Sequence, residues 1–352
     1  MADARDRARR TFAGRVIAWQ AEHGRHDLPW QQTRDPYRIW LSEIMLQQTQ
    51  VRTVLPYYQS FLIRFPTLEA LAAAPLDSVL ERWSGLGYYA RARHLHRCAQ
   101  VVAAGDGRLS ADAEENARLP GIGRSTAAAI SVFAFGRRAA ILDGNVKRVL
   151  ARCFAAEAAA TAAQDERQMW ALAESLLPAS DIERYSQGMM DLGATVCTRH
   201  QPRCELCPLH EICLACRDGR QAELPRRRAR RVPARRLCSL LLLSDGRRIL
   251  LERRPPVGIW GGLLSLPEAS ADSATAFAER HGCRLLSSRA LTPIEHSFTH
   301  FHLTMQVLHC QVEALGLQAN QAPLEWLPVD EVAAAALPAP IKKLLLALPR
   351  GG

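Results

Sequence analysis

The stretch LPGIGRSTAAAI, residues 119–130, combines two closely spaced glycines with the start of an alanine-rich, apolar run. Gly121 and Gly123 stand just before Ser125, and the run that follows has high helix propensity. This pattern predicts two helices joined by a tight hairpin whose backbone N–H groups point outward. Such a hairpin suits a phosphate oxygen, although an ordinary turn between helices would use glycine in the same way.

Around this hairpin the sequence predicts an all-α domain. From about residue 5 to about residue 177, apolar residues recur at spacings of three and four, as on one face of a helix. Asp35 followed by Pro36 predicts a capped helix start, and we expect that helix to continue through Gln50.

The composition limits the possible classes of protein. A chain of 352 residues with 48% apolar residues predicts two globular domains, and a net charge of +10 favours a polyanionic partner such as nucleic acid. Charge alone does not decide this, because many proteins are simply basic. The first residues lack an apolar core, and no uncharged apolar run approaches about 18 residues, so we expect neither a signal peptide nor a membrane span.

Two acidic residues, Asp143 and Glu43, are candidates for catalytic roles. Asp143, in ILDGNVKRVL, is predicted to cap a helix over residues 145–153, and a capping carboxylate could also stand at the mouth of a cleft. Glu43, in WLSEIMLQQTQV, shares a polar stripe with Gln47 and Gln50 on a largely apolar helix. If Glu43 is half-buried, its pKa rises and it suits a general acid; the alternative is a surface glutamate at the helix edge.

Four cysteines, Cys197, Cys204, Cys207 and Cys213, have the spacing C-x6-C-x2-C-x5-C. Soft thiolates in one loop predict a metal centre, and the uneven spacing favours an iron–sulfur cluster. A zinc site that uses Cys216 in place of Cys197 is the alternative, although its spacer is short. Grouped thiols of this kind indicate a reducing compartment.

The chain changes character near residue 225. Residues 225–236, PRRRARRVPARR, carry seven arginines and two prolines and predict an exposed linker. Beyond it, alternating apolar runs predict an α+β domain whose helices cover residues 271–281 and 341–348. The expected division is a helical domain over 1–224, the linker over 225–236 and a smaller domain over 237–352.

Taken in order, WLSEIMLQQTQV, GLGYYARAR, LPGIGRST, ILDGNVKRVL and the four-cysteine loop resemble the adenine-specific mismatch DNA glycosylases of the helix-hairpin-helix superfamily. The resemblance implies a multidomain fold, with an all-α helix-hairpin-helix glycosylase domain followed by an α+β Nudix-like domain. It also implies that the four cysteines bind a [4Fe–4S] cluster. The implied substrate is double-stranded DNA containing adenine opposite 8-oxoguanine or guanine.

The resemblance assigns roles to single residues. Glu43 would protonate adenine N7, Asp143 would stabilise the oxocarbenium-like sugar, and Asn145 would orient Asp143 or water. Ser125 stands where strand-cutting relatives carry a lysine, which implies a monofunctional enzyme that leaves an abasic site.

Contacts with DNA are implied as well. The candidates in the helical domain are Trp30 in the adenine pocket wall, Gln48 and Tyr88 as wedges in the base stack, Gly121, Gly123 and Ser125 in the hairpin, and Lys147, which would contact a phosphate or lie at the surface. In the C-terminal domain, EHSFTHFHL resembles a loop that probes the base opposite adenine, with candidates His296, Phe298, Thr299 and His300. Family members often have serine where Thr299 stands.

Three other functions stay open at this point. They are a non-catalytic iron–sulfur DNA-binding protein, a superfamily glycosylase acting on damaged or mispaired pyrimidines, and a Nudix phosphohydrolase. The last is disfavoured because Gly262 and Glu268 keep only the opening of the Nudix pattern, and Glu279 is out of register with its glutamates. We expect a cytoplasmic, nucleoid-associated monomer with no membrane contact, for which other repair proteins are candidate partners.

Overall fold

The computed structural model describes residues 2–157, 159–226, 233–298, 300–315 and 323–348. Packing of the chain divides it into two compact units. The first unit comprises Met1–Tyr58, Phe65–Ala72 and Arg97–Arg230, and the second comprises Gln59–Arg64, Ala73–His96 and Arg231–Gly352. The first is helical and the second contains a mixed sheet, which confirms the predicted fold class of an all-α domain followed by an α+β domain.

The helices up to residue 217 are α1 (Ala2–His23), α2 (Pro36–Leu46), α3 (Val51–Arg64), α4 (Leu68–Ala73), α5 (Leu76–Trp83), α6 (Ala90–Ala104), α7 (Ala113–Asn116), α8 (Arg124–Phe135), α9 (Gly144–Cys153), α10 (Ala162–Ser175), α11 (Ile182–Thr195) and α12 (Leu214–Arg217). The core of the first unit brings together fully buried side chains from α1, α8, α9 and α11, among them Phe12, Val132, Leu150 and Leu192. Removing such apolar area from water is the main force that holds these helices together. No described helix has the length and apolar character needed to cross a membrane.

Helix α2 begins as predicted and ends earlier than predicted. The Asp35 side chain accepts a hydrogen bond from the backbone N–H of Tyr37, and Pro36 occupies the first turn. The helix ends at Leu46, so the predicted extension through Gln50 is wrong. Gln48 adopts a left-handed φ of 58°, and the Thr49 N–H bonds back to Leu46 O in a tight turn. This turn ends the helical ladder before α3 begins at Val51.

The predicted hairpin is present between α7 and α8. Gly121 has a φ of 76°, a conformation that glycine adopts without steric cost, and the Ile122 N–H donates to Leu119 O. Gly123 lies at the N-terminus of α8, and a side chain added there would meet no atom within 4 Å. The start of α8 is therefore open on its glycine side.

The sheet of the second unit contains β1 (Ala234–Ser244), β2 (Arg248–Arg253), β3 (Leu264–Ser265), β4 (Cys283–Ala290), β5 (Ile294–Ser297), β6 (Phe301–Ala314) and β7 (Leu324–Pro328). Its order is β3-β2-β1-β6-β4, with β5 paired to β6 and β7 to β2. Strands β1 and β6 run parallel at its centre, from Ala234 opposite Phe301 to Ser244 opposite Gln311. The sheet is therefore mixed.

Apolar side chains pack on both faces of this sheet. One face includes Leu240 and Leu242 with the helix α14 (Ala339–Leu346), and the other includes Leu241 and Leu243 with α13 (Ala274–Arg280). Successive side chains of β1 point to opposite faces and all four are apolar, as expected for a strand that is covered on both faces. The sequence did not predict β4 and β5, because most side chains of β4 are exposed and its pattern is not that of a buried strand.

Candidate active site

A cleft of about 1150 Å³ opens in the first unit. Its walls come from the segment between α1 and α2, from α2, from the start of α9 and from α11. Glu43 and Asp143, which are a hundred residues apart in the sequence, both line it. The fold thus brings the two predicted carboxylates into one cavity.

Burial, and to a smaller extent the neighbouring charge of Asp143, together raise the pKa of Glu43 from an ordinary 4.5 to about 8. Burial favours the neutral carboxyl because a charge is poorly solvated there. At neutral pH Glu43 is therefore mostly protonated, as a general acid must be before it acts.

Asp143 has a different environment in the same cleft. It caps α9 by accepting hydrogen bonds from the backbone N–H groups of Asn145 at 2.9 Å and Val146 at 2.7 Å. The Asn145 side chain donates to the other carboxylate oxygen at 3.3 Å. Burial raises the pKa of Asp143, while these hydrogen bonds and the charge of Arg148 oppose the rise. The two carboxyls therefore differ: Glu43 is set up to give a proton and Asp143 to carry a negative charge.

Two further residues hold the Asp143 turn in place. The Ser125 hydroxyl accepts a hydrogen bond from the Leu142 N–H at 3.2 Å, one residue before Asp143. On α11, a Cβ at Gly193 would lie 2.6 Å from Asn145 Cβ and 2.9 Å from Asn145 O. Glycine is required at this position because the backbone of α9 approaches so closely.

Arg148 connects this turn to the four-cysteine loop. Its Nη2 donates to Asn145 Oδ1 at 2.8 Å and to Gly193 O at 2.6 Å. Its Nε donates to Cys197 O at 2.7 Å. The sequence analysis missed this arginine. The available signal was its position on α9, five residues after Asp143 on a helix that ends close to the cysteine loop.

The residues predicted to contact DNA do not all line the cleft. Trp30 lines the cleft, is 8% exposed and packs edge-to-face on Tyr58 at a ring distance of 5.2 Å. Gln48 is exposed in the turn after α2. In the second unit, Tyr88 is 48% exposed with a left-handed φ of 50°, whereas Tyr89 is buried. One tyrosine ring of this pair is therefore exposed and the other buried.

Lys147 does not line the cleft. Its ammonium group forms an ion pair with Glu166 of α10, and Glu166 also accepts a hydrogen bond from Trp170 Nε1 at 3.0 Å. This contact joins α9 to α10.

The four predicted metal ligands lie between α11 and α12, half-buried and free of disulfide bonds. Arg152 is 3% exposed, and its guanidinium donates to Cys197 Sγ at 3.4 Å and to Thr198 O at 2.7 Å. Burial and neighbouring thiols raise the pKa of Cys207 to about 12. Four thiols beside two arginines form a donor set that suits an anionic metal–thiolate centre.

Two further cysteines lie beside this loop. Cys153 of α9 is buried, and its Sγ lies 3.9 Å from Ile212 O and also hydrogen-bonds to Cys213. Cys216 interacts with Cys204. Within the described ranges, no three His, Cys, Asp or Glu side chains are arranged as ligands of a single metal ion.

In the second unit, aromatic rings cluster near the end of β5. His296 and Phe298 lie 4.6 Å apart, and both pack against Trp260. Phe298 also stacks on Phe301 at 4.5 Å. Of the other two candidates from this loop, His300 is exposed, and Thr299 lies outside the described residues.

The wall of the cleft on α11 contains a network that the sequence analysis did not find. Asp191 is fully buried and pairs with Arg25, whose Nη2 lies 2.5 Å from its Oδ1. Gln187 Nε2 donates to the same oxygen at 2.9 Å. Arg25 and Gln187 line the cleft and Asp191 lies behind them.

Comparison with known families identifies the class. The model for the HhH-GPD superfamily of base excision DNA repair proteins matches residues 41–175, a range that contains both cleft carboxylates. The NUDIX domain model matches residues 238–347. Fold and cleft together define a base excision repair DNA glycosylase with a Nudix-like domain.

Individual relatives narrow the class. An adenine DNA glycosylase of Buchnera aphidicola subsp. Baizongia pistaciae is 32% identical over 338 residues, covering 95% of each chain. The Homo sapiens adenine DNA glycosylase is 32% identical, covering 95% of this chain and 73% of the human one. The chain belongs to the adenine DNA glycosylase family, so it is an enzyme that acts on DNA.

Solved structures agree with the helical fold. A thermostable thymine-DNA glycosylase is 30% identical with a TM-score of 0.56, covering 61% of this chain and 99% of its own. An endonuclease III in a non-covalent DNA complex has a TM-score of 0.52 at 20% identity, covering 60% of this chain and 95% of its own. The second similarity concerns the fold alone.

Proposed function

We propose that the enzyme hydrolyses the N-glycosidic bond of adenine paired with 8-oxoguanine or guanine in double-stranded DNA. The observation that carries this proposal is the pair of carboxyls in one cleft, with Glu43 at a pKa of about 8 beside a hydrogen-bonded Asp143. A base inside a duplex cannot be reached by such groups, so adenine must first be flipped into the cleft.

Each carboxyl acts on one side of the N-glycosidic bond, Glu43 on the base and Asp143 on the sugar. As the bond breaks, electrons move to the base and positive charge develops on the sugar. Protonated Glu43 donates to adenine N7, so that a neutral base departs, and the resulting carboxylate helps to activate water. Asp143 stabilises the sugar cation, and Asn145, which donates to Asp143, keeps its carboxylate oriented.

Ser125 supports a monofunctional reaction. Its hydroxyl accepts a hydrogen bond from the backbone beside Asp143 and cannot form a Schiff base with the sugar. The amine of Lys147 is occupied by Glu166. The expected product is an intact strand with an abasic site.

Residues of both units hold the DNA. The hairpin of Gly121 and Gly123 offers backbone N–H groups to a phosphate, and the open space beside Gly123 leaves room for it. Trp30 forms part of the adenine pocket wall. Gln48 and Tyr88 enter the base stack, and both are exposed at positions with a left-handed φ.

The C-terminal domain reads the base opposite adenine. His296, Phe298, Thr299 and His300 are the residues assigned to this role. Rings of His296 and Phe298 packed on Trp260 provide a surface on which an oxidised guanine can stack. We assign no pyrophosphate hydrolysis to this domain, and Glu268 is paired with Arg254.

The cysteine loop holds a [4Fe–4S] cluster through Cys197, Cys204, Cys207 and Cys213. Arg148 and Arg152 support this assignment, because their positive charge offsets that of an anionic cluster. When bound, the cluster fixes the shape of a basic loop against DNA phosphates. Equal amounts of iron and inorganic sulfide in the purified protein, lost together in Cys197→Ser, would support the assignment; zinc in their place would overturn it.

The proposal includes the domain bounds, the oligomeric state, the compartment and the partners of the enzyme. The glycosylase domain spans 1–224, the linker 225–236 and the mismatch-recognition domain 237–352. The enzyme works as a monomer in a reducing, cytoplasmic compartment, close to the nucleoid. Enzymes that process abasic sites are the expected partners, because the product requires further repair.

The test is single-turnover cleavage of a duplex with one adenine opposite 8-oxoguanine, resolved with and without hot alkali. Strand breaks that appear only after alkali support a monofunctional adenine glycosylase. Breaks without alkali overturn the monofunctional assignment. If no abasic product forms, the same assay on duplexes with damaged or mispaired pyrimidines decides whether the substrate class is wrong or the chain only binds DNA.

A further inference from the structure

A buried carboxylate lies behind the α11 wall of the cleft. The side chain of Asp191 has 0% exposure. A buried charge is costly unless it is paired and hydrogen-bonded. Asp191 meets this condition through Arg25 and Gln187, two residues that line the cleft. The carboxylate therefore does not line the cleft, but it contacts two residues that do.

The contacts of Asp191 leave little freedom to its neighbours. The backbone N–H of Arg25 donates to Oδ2 at 2.9 Å, and the Arg25 Nε donates to Oδ1 at 2.7 Å. The Gln187 Nε2 donates to Oδ1 at 2.9 Å. Residues 187 and 191 are one turn apart on α11, so their side chains lie on the same face of the helix.

This arrangement decides which way the Gln187 amide points. An ionised carboxylate only accepts hydrogen bonds, so Gln187 must turn its NH₂ group toward Asp191. The reverse orientation would place the amide oxygen against a carboxylate oxygen. The carbonyl oxygen of Gln187 is therefore turned away from Asp191 and is available at the cleft wall as an acceptor.

We infer that Asp191 is a positioning residue that sets the base selectivity of the cleft by locking the Gln187 amide. With its carbonyl oxygen fixed toward the cleft, Gln187 favours a purine that presents an amino group to that oxygen. It disfavours the same purine with an oxygen there, because two acceptors would then face each other. The inference rests on the proposed excision of adenine, and hypoxanthine is the purine that differs from adenine at this edge.

The test compares two duplexes that differ only in adenine or hypoxanthine opposite 8-oxoguanine. The quantity measured is the ratio of their single-turnover excision rates. Because both rates come from one preparation, the ratio does not depend on the folded or active fraction. Asp191→Asn should lower the ratio about tenfold, since an asparagine can offer either a donor or an acceptor and lets Gln187 turn over.

Three further single variants and one double variant serve as controls. Asp191→Glu keeps a carboxylate and should keep most of the ratio, and Asp181→Asn removes an exposed acid next to the start of α11 and should leave the ratio unchanged. Gln187→Leu should lower the ratio as far as Asp191→Asn does. Adding Asp191→Asn to Gln187→Leu should then have no further effect, because the two residues act as one unit.

The outcomes separate this inference from the proposed function. A ratio that falls in Gln187→Leu but not in Asp191→Asn overturns the positioning role of Asp191. A wild-type enzyme that excises both bases equally overturns the inference and leaves adenine excision intact. A wild-type enzyme that excises neither base overturns the proposed function and the inference together.

Discussion

The Nε of Arg148 donates a hydrogen bond to the backbone carbonyl of Cys197 at 2.7 Å. The same guanidinium donates to the side chain of Asn145, which in turn donates to Asp143. One arginine thus joins the start of the four-cysteine loop to a carboxylate of the cleft. Because an arginine only donates, it also fixes the orientation of the Asn145 amide.

Replacing Arg148 should therefore affect both ends of this connection. We expect Arg148→Gln to slow single-turnover excision by about 10- to 100-fold, as loss of a supporting group does at other sites, and to reduce iron content. Arg167→Gln removes the same charge from an exposed position on α10 and should do neither. Normal activity and iron in Arg148→Gln would contradict the connecting role.

Glu43→Gln should still bind the mismatch but excise adenine about 10²- to 10⁴-fold more slowly, because a positioned acid is lost. Its pKa of about 8 also predicts the pH profile of the wild type. Glu43 is protonated below that pH and loses its proton above it, so the excision rate should fall as pH rises through about 8. Single-turnover rates across this range measure it, and a rate that does not fall argues against Glu43 as the acid.

The same pKa predicts how stability depends on pH. The pKa of Glu43 rises from 4.5 to about 8 on folding, so the folded state holds this proton more tightly. The stabilisation of the folded protein that comes from this tighter proton binding is fully present below about pH 4.5 and is lost as pH rises through about 8. Between these two pH values, the free energy of unfolding of Glu43→Gln, measured with denaturant, should rise relative to that of the wild type by up to about 5 kcal/mol. A constant difference between the two would show that Glu43 is not buried as described.

Asp143 has a structural role and a chemical role, and two variants separate them. Asp143→Asn keeps a good helix cap and should retain the free energy of unfolding, whereas Asp143→Ala loses the cap and should cost about 1 kcal/mol. Both should lose most of the excision rate, because neither supplies a negative charge. Chemical unfolding and single-turnover assays on both variants test this. If Asp143→Asn stays active, the charge is not needed.

Gly193→Ala should disturb the Asp143 turn from behind. The new Cβ would lie 2.9 Å from Asn145 O, a backbone atom that cannot move alone, so we expect about 1–3 kcal/mol of destabilisation and slower excision. Gly14→Ala is the matched control, since that helical glycine has no atom within 4 Å of the added Cβ. Helix propensity predicts that Gly14→Ala is neutral or slightly stabilising. Thermal unfolding and single-turnover assays of both variants test the difference.

Several features could be predicted because their causes are local. The Gly121 hairpin follows from a backbone conformation that glycine tolerates, and the starts of α2 and α9 follow from the capping aspartates Asp35 and Asp143. The fold class followed from periodicity and from five motifs in one order. Prediction failed where the local signal was weak: the turn at Gln48 that ends α2 contains no glycine or proline, and the edge strand β4 carries no buried pattern.

The sequence by itself determined the helical domain and the α+β domain after it, the two carboxylates and the four cysteines. It could do so because hydrophobic period, caps and ligand spacing act within a few residues. Only the tertiary structure decided that Glu43 is buried enough to reach a pKa of about 8 and that Arg25 and Gln187 share Asp191. It alone also decided that Arg148 reaches Cys197. Desolvation and long-range hydrogen bonds depend on which distant segments meet, and no local pattern encodes that.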